Sequence, residues 1–248
     1  MLERHGSITF PGVHAFPGGV VEPGDAEVAG ARLPADQRWA PPEEGDCPPG
    51  ALPYWVAAVR EMFEEVGILL VSRHDRMLEG PLTSDLQAMR ARLHRGEPFG
   101  PLLAAESLVP ATDRLFYFAR WITPVRNPRR FDTRFLVARV PPGQEPAHDG
   151  TETVASSWFT PRAALAAYEA GRIQLIPPTV RTLDELVSFD SVDAVLEDAR
   201  HRIVRAACPE LVLADGETTI RYPDNTGRPE IPPRGLVLRD GRWRPSDR

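Results

Sequence analysis

Apolar positions at helical spacing mark one segment above the others. Trp55, Val59, Met62, Phe63 and Val66 recur on one face, Pro53 suits a first helical turn and Gly67 a helix stop, so the pattern predicts a helix over residues 53–67. Residues 68–71 are all apolar and carry the chain on into a core. A second helical period, Leu86, Met89 and Leu93, begins at Ser84 as a cap and ends at Gly96. Aromatic and β-branched residues over 115–122 and 131–140 predict two strands joined by the turn-rich stretch 123–130, and shorter strands are expected at 13–16 and 156–159.

Towards the C-terminus, Thr160-Pro161 caps a helix to about Ala170, stopped by Gly171. Pro177-Pro178 opens another to about Val187, and Ser191 caps a third that carries Val192, Val195, Leu196, Ala199 and Ile203 on one side. Short strands at 211–213, 218–222 and 236–238 are punctuated by Asp215-Gly216 and Asp240-Gly241. Residues 26–52 are rich in proline, glycine and acid, a composition that predicts an irregular surface loop, with a lid as one use for it.

The polar face of the 53–67 helix carries the candidate chemistry. Glu61, Glu64 and Glu65 stand at i, i+3 and i+4, which brings three carboxylates to one side. They repel one another unless a cation sits among them, and hard oxygen donors of this kind suit Mg²⁺ or Mn²⁺. On spacing alone, a solvated acidic helix face is the stronger reading.

Arg60-Glu61-Met62-Phe63-Glu64-Glu65-Val66-Gly67-Ile68 resembles the second half of the Nudix hydrolase signature. Gly19 and the acid that follows it at Asp25 resemble the first half, with Asp where the family usually has Glu. The spacer between the halves is short in the family, whereas here residues 26–59 intervene, so 26–52 reads as an insertion within the box. Further stretches, 121–124, 128–135 and 148–152, resemble the Nudix branch that includes the peroxisomal mammalian coenzyme A diphosphatases, which also carries a long insertion in its box. A coenzyme A-linked motif of other Nudix diphosphatases is matched only at Gly12, since Phe10 and His14 depart from it.

The resemblance implies an α/β fold, a Nudix α/β/α sandwich around a mixed sheet. A Nudix domain would occupy 1–171, and 172–248 would form a helical and short-strand extension packed on the same domain. It implies a Mg²⁺- or Mn²⁺-dependent diphosphatase with Glu61, Glu64, Glu65 and the Gly19 backbone at the metal. Arg60 would pair with Asp25 to hold the box shut. The general base is Glu64 or Glu65, or an acid on a later loop, for which Glu152 is the candidate and an exposed loop glutamate the competing reading. Arg129, Arg130 and Arg134 suit phosphate oxygens; for Arg134, inside a strand, a surface salt bridge competes. Coenzyme A or an acyl derivative leads as substrate, with ADP-ribose, NADH or a dinucleoside polyphosphate next. A noncatalytic nucleotide sensor is the reading of another class, disfavoured because all three glutamates are present.

Composition narrows the partners. The 248 residues carry 29 basic against 35 acidic side chains, a net charge of −6, which disfavours nucleic acid. No apolar run approaches the roughly 20 residues of a membrane span, and the N-terminus lacks a signal-peptide pattern. Cys47 in the insertion and Cys208, near the end of a predicted helix, form no metal-ligand spacing, so the expected location is a reducing cytoplasm. Gly18-Gly19 lacks the Lys-Ser/Thr of a P-loop, which removes an ATPase. The histidines at 5, 14, 74, 94, 148 and 201 are expected in surface or packing roles. The helices and tail after about 172 offer a surface for a homodimer.

Overall fold

The computed structural model describes residues 1–4, 13–40, 48–147, 153–214, 216–222 and 235–246. In chain order the elements begin with strands β1 (Leu2–Arg4) and β2 (His14–Ala15), a 3₁₀ turn at Pro23–Glu27, and helix α1 (Pro48–Glu61) continued by a π-turn at Met62–Val66. Then follow β3 (Val71–Arg73), β4 (Arg76–Met77), α2 (Ser84–Leu93), α3 (Phe99–Ala105), β5 (Val109–Pro110), β6 (Phe116–Ile122), β7 (Asp132–Val137) and β8 (Thr153–Ser156). The remainder is α4 (Pro161–Glu169), α5 (Pro177–Leu186), α6 (Val192–His201), β9 (Ala206–Ala207), β10 (Glu210–Ala214), β11 (Glu217–Arg221), β12 (Leu236–Arg239) and β13 (Arg242–Pro245). No helix among the described residues is long and apolar enough to cross a membrane.

The chain forms two compact units whose division does not follow chain order. The first holds residues 1–35, 48–116 and 138–158, and the second 36–47, 117–137 and 159–248. In the first, β1 lies between β2 and β8, antiparallel to both, with Leu2 opposite Ala15 and Ser156. β3 runs between β4 and β5. Trp55, Val59, Phe63 and Val66 of the organising helix are buried, and Ile68, Leu69, Leu70 and Val71 follow them into the core. Trp55 Nε1 donates to the Leu115 carbonyl at 2.8 Å, so the ring is buried with its one polar atom satisfied. Gln144, also buried, does for Leu69 what a neighbouring strand would. Its Oε1 accepts from Leu69 N at 2.8 Å, and its Nε2 donates to the Leu69 and Leu78 carbonyls.

In the second unit, β6 lies between β7 and β9, parallel to β9, and β10–β13 form an antiparallel sheet. Thr160 and Ser191 cap α4 and α6 as the sequence predicts, accepting from the amides of Ala163 and Ala194. Trp121 Nε1 donates to Thr182, and Tyr168 accepts from the Trp243 amide on β13.

Several expectations are corrected in detail. The organising helix opens at Pro48, and Pro53 lies inside it, where its missing N–H forfeits one helical hydrogen bond. Thr83, not Ser84, caps α2 by accepting from Leu86 N. The expected strand at 156–159 is β8, ending at Ser156. Cys208 follows β9 rather than a helix. Helix α3 and strand β13 were not expected. Cys47, Phe10, Gly12 and residues 148–152, Glu152 among them, lie outside the described residues.

The insertion is not only surface. Val28, Pro34, Gln37 and Ala40 are buried, and 48–52 are helical. Thr112, itself buried, takes the Arg32 amide and donates to the Arg32 carbonyl, pinning the insertion within the first unit. In the second unit, Gln37 accepts from Tyr117 N at 2.7 Å and donates to the Ala199 carbonyl at 2.9 Å. Gln37→Leu therefore leaves a buried amide and a buried carbonyl unsatisfied. Urea unfolding should register a loss of about 1–3 kcal/mol, and an unchanged midpoint would mean these bonds contribute nothing net.

Candidate functional site

The Gly18-Gly19 turn and the end of α1 meet through one buried ion pair. The 3₁₀ turn at Pro23–Glu27 orients Asp25, whose Oδ2 accepts from the Glu22 amide at 2.8 Å. Asp25 and Arg60 are 2% and 3% exposed. Arg60 Nε donates to Asp25 Oδ1 at 2.9 Å and Nη2 to Oδ2 at 3.0 Å, the two-pronged geometry that a guanidinium offers a carboxylate. The pairing expected from the sequence is thus formed, and Nη2 also donates to the Val20 carbonyl at 2.8 Å. Burial works against the Arg60 charge, but the bond from Asp25 and the nearby Glu61 charge more than offset it, so its pKa is raised.

The three glutamates gather beyond this pair. Arg60 Nη1 donates to Glu61 Oε1 at 2.8 Å and stands 3.6 Å from Glu64 Oε2. Glu65, buried, accepts the Gly18 amide at 2.8 Å. Gly18 has φ +151°, a backbone that side chains rarely adopt. At Gly19 the constraint is space, since a Cβ there would collide with the Glu61 carboxylate, 2.5 Å from its Cδ.

The expected ligand set is not drawn around a single point. Among the described residues, no three His, Cys, Asp or Glu side chains could together hold a metal ion. The reason is local: Glu61 and Glu64 turn toward the Arg60 guanidinium and Glu65 toward the Gly18 amide. The donor chemistry nonetheless fits a hard divalent cation: Glu61 and Glu65 adjoin the Gly18-Gly19 turn, and Glu64 stands beside the same Arg60 guanidinium as Glu61.

Arg90 of α2 and His94, the C-cap of that helix, reach this site, and neither was expected there from the sequence. Arg90 Nε and Nη2 both donate to the Glu64 backbone carbonyl, at 3.0 and 2.7 Å. His94 Nδ1 lies 3.8 Å from Glu64 Oε1. Leu86, Met89 and Leu93 of α2 are buried, Leu86 and Leu93 at i−4 and i+3 from Arg90. Arg90 and His94, spaced i and i+4, were the available signal, a basic pair bordering the apolar stripe.

The three candidate phosphate-binding arginines belong to the second unit. Arg129 lies over the Phe131 ring, 5.3 Å from its centroid, and Arg130 Nε donates to the Thr123 carbonyl. Arg134 stands 3.8 Å from Asp132, the salt bridge weighed against a phosphate role. Asp132 is gripped more closely by Arg120, at 2.8 and 2.6 Å, and the bonds from Arg120 hold its pKa below the usual carboxylate range.

This arrangement of glycine turn, locked arginine and carboxylate helix is carried by a Nudix fold. The chain superposes on the crystal structure of a NUDIX hydrolase from Alicyclobacillus acidocaldarius with a TM-score of 0.65 and 28% identity, over 79% of this chain and 86% of that one. The chain belongs to the NUDT19 branch of the Nudix hydrolases, whose family model, NUDT19 Nudix domain, matches residues 34–186. It is 30% identical to the Acyl-coenzyme A diphosphatase NUDT19 of Gallus gallus, over 93% of this chain and 75% of that protein. The human protein of the same name is also 30% identical, over 74% of this chain and 58% of its own length. The fold class and branch expected from the sequence are borne out.

Proposed function

We propose that the protein is a Mg²⁺-dependent diphosphatase that cleaves coenzyme A or acyl-coenzyme A to 3′,5′-ADP and (acyl-)4′-phosphopantetheine. The observation that carries this reading is the buried Arg60–Asp25 pair, which fastens the Gly18-Gly19 turn against Glu61 and Glu65. The substrate is supported by the activity named for the chicken and human relatives.

Glu61, Glu64, Glu65 and the Gly19 backbone would hold Mg²⁺, with Mn²⁺ as the other candidate. The bound ion would supply Lewis-acid activation and charge neutralisation. Water attacks one phosphorus, the P–O bond to the other phosphate breaks, and two phosphomonoesters leave. Glu64 or Glu65 takes the water's proton, with Glu152 kept as the candidate from the later loop. Arg129, Arg130 and Arg134 keep their proposed role with phosphate oxygens, and a cytoplasmic location and a homodimer belong to the same proposal. The mismatches at Phe10 and His14 favour a second reading, in which ADP-ribose, NADH or a dinucleoside polyphosphate is the substrate.

Chromatographic product analysis with Mg²⁺ and separate pools of coenzyme A, acetyl-coenzyme A, ADP-ribose, NADH and a dinucleoside polyphosphate tests this. Formation of 3′,5′-ADP from the first two is the expected result. Cleavage of ADP-ribose or NADH alone would replace the substrate and keep the chemistry.

A further inference from the structure

Arg90 has no place in the box, yet it completes the backbone of the carboxylate turn. In a regular α-helix the Glu64 carbonyl would accept from the amide of Ile68. Here the segment Met62–Val66 is a π-turn, and Gly67 closes it in the left-handed conformation at φ +73°. The Ile68 amide is bonded instead to the Met62 carbonyl, at 3.4 Å, and Gly67 N to the Phe63 carbonyl, at 3.0 Å. Two carbonyls of the turn are therefore met from outside it. Glu64 O takes both Nε and Nη2 of Arg90, and Val66 O takes the Ala147 amide at 2.7 Å. A cation is well placed there, because carbonyls at a helix C-terminus carry its partial negative charge.

We infer that Arg90 is a positioning residue for the metal site: through the Glu64 carbonyl it fixes the π-turn in the shape that presents the Glu64 and Glu65 carboxylates. The guanidinium is tightly registered against this turn, since a Cβ on Gly67 would lie 2.8 Å from Arg90 Nη1. Helix α2 supplies the rigidity, anchored by buried Leu86, Met89 and Leu93 on either side of Arg90. Such π-turns are rare and frequently sit at functional sites. The partner that meets this turn lies 26 residues further along the chain.

The inference rests on the proposed metal-dependent reading, and its test separates the two. Mn²⁺ binding is measured by electron paramagnetic resonance on wild type, Arg90→Ala and Arg90→Lys, together with amide exchange at Gly67, Ile68 and Ala147. Arg90→Ala should weaken Mn²⁺ binding about tenfold, as loss of a group supporting a metal ligand does, and speed exchange at all three amides. Its KM for substrate at saturating metal should stay within about twofold of wild type, because Arg90 acts through the metal ligands. Arg90→Lys keeps the charge and one donor without the fork and should fall between; it also serves if Arg90→Ala fails to fold. Unchanged Mn²⁺ affinity and exchange in the variants overturn the inference, whatever happens to turnover. If wild type binds Mn²⁺ but cleaves no diphosphate, the proposed reaction fails while the Mn²⁺ comparison still decides the role of Arg90. A wild type that binds no Mn²⁺ overturns both.

Discussion

Glu65→Gln should lower Mg²⁺-dependent turnover by about a hundredfold or more, the range seen when a positioned acid–base group is removed, while leaving the fold intact. The substitution is close to isosteric, and the amide oxygen can still accept the Gly18 N–H that Glu65 takes at 2.8 Å. What is lost is charge at a buried position beside the glycine turn. Glu64→Gln should have an effect of the same order, because the two side chains leave adjacent residues of one turn. Steady-state kinetics alongside thermal unfolding checks this. Near-wild-type rates in both variants would remove the metal and base roles from the pair.

Arg60→Leu should be the most destabilising single change in the box. It leaves Asp25, 2% exposed, as a buried carboxylate without its guanidinium, and breaking such a pair on one side typically costs about 3–5 kcal/mol. It also removes the donors that fasten Val20 and Glu61. The double change Arg60→Leu with Asp25→Leu should be less destabilised than the sum of its parts, since neither charge is then stranded. Denaturant unfolding of the two single variants and the double variant measures the coupling, and strict additivity would show that the pair does not act as a unit. Arg60→Lys should not rescue the single change, because an ammonium cannot make both prongs to Asp25 and still reach the Val20 carbonyl.

Much of this site was legible from the chain alone. Trp55, Val59, Phe63 and Val66 keep a period that only a buried helix face explains, and Arg60 and Asp25 pair as the resemblance implies. The caps at Thr160 and Ser191 were readable because a cap is local chemistry within a few residues. The π-turn was not, since Glu61, Glu64 and Glu65 have the same spacing in sequence whether the turn is α or π. Pro53 misled about the helix start because Pro48 and Pro49 suit a first turn equally well. The burial of Gln37 and the reach of Arg90 were hidden for one reason. Each acts on a backbone group distant in sequence, Tyr117 N and Glu64 O, and nothing in the local pattern marks a partner at that range.

The measurement that tests the central claim most directly is ³¹P NMR of acetyl-coenzyme A incubated with the wild-type protein and Mg²⁺ in ¹⁸O-enriched water. The diphosphate resonances should be replaced by two phosphomonoester signals, 3′,5′-ADP and acetylated phosphopantetheine, with ¹⁸O in one of them and no reaction when the metal is chelated. Persistence of the diphosphate resonances, with or without release of free coenzyme A by thioester cleavage, would contradict the assignment of a coenzyme A diphosphatase.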